Sequence, residues 1–165
     1  MKKGFREISR EIASSTWSEV GYYNAAMLQR LTERLQARQP SVLPFVLAQS
    51  ARIGPEVQSL AAYMTHLIFR MEEKVKGEGM KAIPAESLPE IYGRNGLWLK
   101  DRELDGGLIA ESLRKGETLS QPQLLTYLLE AVLEETGGGQ GLAPAQRKAL
   151  FLLMKSVVDA YEAAC

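Results

Sequence analysis

Apolar residues recur at Val57, Leu60, Ala61, Met64, Leu67, Ile68, Met71 and Val75. This i, i+3, i+4, i+7 spacing predicts an amphipathic helix of about six turns. Gly54 breaks what precedes it, and Pro55 suits the first helical turn, where its missing amide hydrogen leaves nothing unpaired. Glu56 and the pair Lys74 and Lys76 complement the two ends of the helix dipole, and Gly77 supplies the stop. Ala62 and Phe69 fall away from the main stripe. An exposed Phe would be costly, so this helix is expected to be contacted on two sides, inside a bundle.

The flanking patterns are helical as well. A short helix over residues 2–15 places Phe5, Ile8 and Ile12 on one side. Ser14, Ser15 and Thr16 offer N-cap oxygens for a next helix that runs to about Gln39, with Trp17, Val20, Asn24, Met27, Leu28, Leu31 and Leu35 on its stripe. Asn24 is the polar member of that apolar face, a placement that can fix register in helix pairs. Ser41 is a candidate cap for a third helix through Ile53, apolar nearly all round. After Gly77 the pattern dissolves into a loop. Ser87-Leu88-Pro89-Glu90 reads as a capping box for a short helix weakened by Gly93 and Gly96, and Asn95-Gly96 reads as a turn. Leu97-Trp98-Leu99 follows, open between helix and strand. Asp105 is a candidate cap for a helix from Gly106 to Lys115. Ser120-Gln121-Pro122-Gln123 reads as a second capping box, opening a helix with Leu124, Leu125, Leu128, Leu129, Val132 and Leu133. A glycine-rich connector, residues 137–141, leads to the last helix at Pro144. The expected fold class is all-α: an irregular bundle of four long helices and three or four short ones, in a single domain over residues 1–165.

At 165 residues the chain can bury roughly 70% of its unfolded surface, so it needs neither disulfide nor metal to hold a core. Its one cysteine, Cys165, has no partner within the chain, which fits a reducing cytosol. No apolar run approaches the ~20 residues of a membrane span, and the first residues lack the apolar core of a signal peptide. The expected location is the cytoplasm. The 20 basic residues balance the 20 acidic ones. Up to Leu104 there are 15 bases against 12 acids, and from Asp105 onward 5 against 8. Such mild polarity lacks the basic face that nucleic acid requires.

Catalytic chemistry finds few candidates. His66 is the single histidine, which excludes His–His metal pairs and paired Glu-x-x-His di-iron motifs within one chain. On the helical wheel it faces away from the apolar stripe, beside Arg70 and Glu73. Cys165, as the terminal residue, lacks the fixed surroundings that activate a thiol. Neither a phosphate-binding P-loop nor a G-x-S-x-G elbow occurs. The segment from Asp101 to Leu108 carries Asp101, Glu103, Asp105 and Gly106 at the spacing of a calcium loop. Its twelfth position is Ser112 where a bidentate Glu belongs, so the three acids are weak metal candidates, no cofactor is expected, and the capping role of Asp105 explains the same residues.

By elimination, the sequence reads as a non-enzymatic helical interaction or regulatory module, acting on a protein partner or on its own copy as a homodimer. Neither nucleic acid nor membrane is expected as a partner. Leu97, Trp98, Leu99, Asn24 and Trp17 are the candidate interaction residues. Trp is frequent at interface hot spots, and loops on rigid scaffolds carry binding residues. The alternatives are a helical bundle that binds a small molecule between its helices, or an enzyme using carboxylates.

Overall fold

The computed structural model describes residues 7–134 and 141–165. These form eight α-helices: α1 Arg10–Gly21, α2 Ala25–Arg38, α3 Val42–Ala51, α4 Pro55–Lys76, α5 Ser87–Leu99, α6 Leu108–Arg114, α7 Pro122–Leu133 and α8 Pro144–Ala163. A 3-10 turn, Gly77–Gly79, follows α4, and no strand occurs among the described residues. The fold is all-α.

The α4 helix is the hub. It packs against α1, α2, α3 and α8. Its stripe residues Val57, Ala61, Met64, Leu67, Ile68 and Met71 are buried, and Phe69 on the opposite side is fully buried too. The second helix at the centre is α8, which contacts α3, α4, α5 and α7. All eight helices contribute to one continuous core among the described residues. Pro55 starts α4 and Gly77, at φ +55°, ends it. No helix among the described residues is long and apolar enough to cross a membrane.

Several local expectations are overturned. The helix expected to run unbroken to Gln39 is two helices, parted at Tyr22–Asn24. Asn24 is the N-cap of α2; its Oδ1 accepts from the Met27 amide at 2.9 Å and the residue is exposed. A short polar side chain that satisfies a free helix amide competes well with continuing the helix. Asn24 therefore does not sit on a buried stripe. Likewise Ser9, within the first expected helix, is the N-cap of α1; residues 2–6 of that expectation lie outside the described residues.

Neither capping box forms. Ser87 donates to the Pro84 carbonyl, and Ser120 donates to Asp159. The residue at the start of α7 is Gln121 in the left-handed region, φ +51°. Its fully buried amide explains the placement: Oε1 accepts from the Ile8 amide at 2.6 Å, and Nε2 donates to Glu162 at 2.9 Å. A non-glycine residue at positive φ carries a backbone cost of about 1 kcal/mol or more, which those contacts offset. Most of the glycine-rich connector lies outside the described residues; the chain resumes at Gly141.

Candidate functional site

The α5 helix carries the site. It runs without interruption through Gly93, Asn95 and Gly96 to Leu99, where a turn was expected. Asn95 is buried on the α8 side, and the contacts it makes there favour helix over turn. Its Nδ2 donates to Asp159 Oδ2 at 2.9 Å and to Ser156 Oγ at 3.2 Å. Its Oδ1 accepts from Lys155 Nζ at 2.8 Å, and Lys155 also donates to Asp159 Oδ2 at 2.8 Å. Lys155 is only 5% exposed. Burying an ammonium costs several kcal/mol unless it is paired and hydrogen-bonded, and both conditions are met here. Removing one member leaves the others buried without compensation, so the cluster fixes α5 on α8.

Trp98 extends this network outward. Its Nε1 donates to Glu117 Oε1 at 2.9 Å, and its ring lies 4.7 Å from Lys155 Nζ and 4.8 Å from the Arg102 guanidinium. Glu117 also accepts from Arg102 and Ser112, both at 2.6 Å. These hydrogen bonds, Arg102 foremost, hold the Glu117 carboxyl down at about 2. Trp98, Asn95, Arg94, Glu117, Ser120, Lys155 and Asp159 line an open cleft of about 390 Å³ between α5, α8 and the segment before α7.

The outer side of α5 is different in kind. Leu97 is 77% exposed, the Gly93 backbone lies bare and Gly96 is half-buried. Neither glycine has positive φ, and a Cβ added to either meets nothing within 4 Å. Within the fold nothing calls for glycine at either place, although each costs a helix about 1 kcal/mol relative to alanine. Glu90 and Lys100 complete this face, and their side chains pair with no group among the described residues; Arg94 lines the cleft. One α-helix thus has a rigidly anchored inner side and an open outer one.

The sequence-based candidates divide accordingly. Leu97, Trp98 and Leu99 lie on the end of α5, not in a loop: Leu97 is exposed, Trp98 half-buried and Leu99 buried. Trp17 is half-buried, edge-on to Tyr127 at 5.4 Å and Tyr63 at 6.5 Å, so it joins α1 to α4 and α7. Asn24 is remote from α5 in sequence and serves as a cap. Asp101, Glu103 and Asp105 line a separate cleft of about 280 Å³ together with Arg102 and Lys115. Asp105 Oδ1 accepts from the Gly107 amide at 2.8 Å, and α6 starts two residues later than expected. No three His, Cys, Asp or Glu side chains among the described residues are grouped to hold a metal ion.

His66 does not meet Glu73. Its Nδ1 lies 2.7 Å from the Ala62 carbonyl and its Nε2 lies 2.9 Å from Thr32 Oγ1, which locks the half-buried ring between α2 and α4. Glu73 accepts from Arg34 and Arg70 instead. Arg38 Nη2 donates to the Gly77 carbonyl at 2.8 Å.

Lys155, Asp159 and Glu117 were not legible as site residues. Lys155 and Asp159 stand four apart on α8, and a lysine followed by Ser156 amid Met154, Val157 and Val158 was the available signal. No protein-family model, curated protein or solved structure matches the chain.

Proposed function

We propose that this protein is a non-enzymatic interaction module whose contact surface is the outer face of α5. The observation that carries the reading is the pairing of two helical glycines, unexplained by φ or crowding, with the neighbouring exposed Leu97. Glycine on a helix surface lets another backbone approach closely. An exposed leucine beside it supplies the apolar anchor. The Asn95–Lys155–Asp159 cluster and Trp98 support the reading because they hold α5 in one position, so that little ordering cost remains for binding. An acid–base reaction centre draws less support, since Asn95, Trp98, Glu117, Ser120, Lys155 and Asp159 in the cleft are hydrogen-bonded among themselves.

A photoreactive diazirine residue placed at position 97 in the native cell tests this. It should give a discrete cross-linked species that is lost when Gly93→Leu fills the surface. The same probe in place of Tyr22, which is 89% exposed, should not give it. Identical adducts from both positions, or an adduct unaffected by Gly93→Leu, would overturn the proposal.

A further inference from the structure

We infer that the partner of this face is a second copy of the chain, with the two α5 helices packed antiparallel about a two-fold axis at the level of Asn95. The inference rests on the reading of α5 as the contact surface and adds who occupies it. A two-fold interface brings one patch against itself, so that patch must hold both members of every complementary pair. The outer face of α5 does. Glu90 stands near its start and Lys100 at its end, about 15 Å apart at 1.5 Å per residue, and neither side chain has a partner within the described chain. Between them lie an apolar knob, Leu97, and a bare backbone, Gly93.

Reversing one copy about the level of Asn95 sets each Glu90 opposite the second copy's Lys100. The same operation sets each Leu97 against the second copy's Gly93. A parallel arrangement would instead align Glu90 with Glu90 and Lys100 with Lys100, placing like charges together. The charge order therefore selects the antiparallel pair. Arg94 leans toward the cleft it lines with Trp98, off the line of contact. One helix pair of this length buries less than the ~800 Å² per partner of a standard interface, so a weak, concentration-dependent dimer is expected.

Sedimentation equilibrium of the full chain between about 10 micromolar and 1 millimolar is the test, with circular dichroism as the check that each variant folds. Monomer and dimer should exchange with concentration. Glu90→Lys alone and Lys100→Glu alone should each weaken the dimer about tenfold, because each sets two like-charge pairs across the axis. An equimolar mixture of the two variants should regain wild-type association, as should the chain carrying both reversals. A monomer at 1 millimolar, or single reversals without effect, or a mixture that fails to associate, would overturn the inference. A cross-link from position 97 to a different protein, with this chain monomeric, would overturn the self-pairing and leave the α5 contact reading standing. The absence of any specific adduct at position 97, with the chain monomeric, would overturn both.

Discussion

The Glu72 carboxyl lies wholly buried on α4, with Lys76 Nζ 2.9 Å from Oε2 and with the charges of Glu162 and the Tyr161 hydroxyl nearby. Burial pushes it up to about 7; Lys76 opposes the rise without cancelling it. The folded state therefore holds this proton more tightly than the unfolded state, where the group titrates near 4.5. Its contribution to stability is fully present below pH 4.5 and is lost as pH rises through 7. The shift corresponds to about 3 kcal/mol at most. Urea unfolding should show stability falling between pH 5 and pH 8, and Glu72→Gln should remove most of that slope. A slope unchanged in the variant would assign the titration to another group. Trp98 allows a second prediction at this scale. Trp98→Phe keeps an aromatic face but deletes the bond to Glu117, and should cost about 1 kcal/mol or more. Trp98→Ala also empties the space between Arg102 and Lys155, and should cost about 2–4 kcal/mol in the same measurement.

At the scale of the element, α5 separates folding from binding within one helix. Gly93→Ala and Gly96→Ala fill open space at ordinary helical φ, so each should stabilise the isolated chain by about 0.5–1 kcal/mol. If the bare backbone is there for close approach, the same changes should weaken association at α5. A rise in thermal midpoint together with a loss of dimer is the expected outcome, read by calorimetry and sedimentation on the same samples. Stabilisation with association intact would mean that the glycines play no part in contact. The α7 start behaves oppositely, because Gln121 accepts a strained φ in return for buried contacts to Ile8 and Glu162. Gln121→Gly relieves the backbone but deletes both contacts, and should destabilise by about 1–3 kcal/mol, measured by urea unfolding.

Across the whole molecule, carboxylates set an acid limit as Glu72 sets an alkaline one. Burial pushes the Glu19 carboxyl up, but hydrogen bonds from Arg70, Tyr23 and Lys74 outweigh it and hold the group at about 2, while Glu117 sits at about 2 as well. Both have lower pKa values folded than unfolded, so their support is present above about 4.5 and disappears as pH falls toward 2. Thermal midpoints measured from pH 2 to pH 9 should therefore peak in mild acid, near pH 5. A maximum above pH 7 would contradict the assignment of Glu72. The sequence by itself determined the all-α class, the limits of α4 from Pro55 to Lys76 and the burial of Phe69 on its second side, because periodicity and helix-end chemistry are local. It left Leu97-Trp98-Leu99 open between helix and strand. Only the tertiary structure decided that α5 continues through Asn95-Gly96, that Ser120 turns to Asp159, and that Lys155 and Asp159 meet Asn95. Those outcomes turn on partners as many as 64 residues away, and a short polar side chain with two satisfactory options goes to whichever one packing places within hydrogen-bond reach.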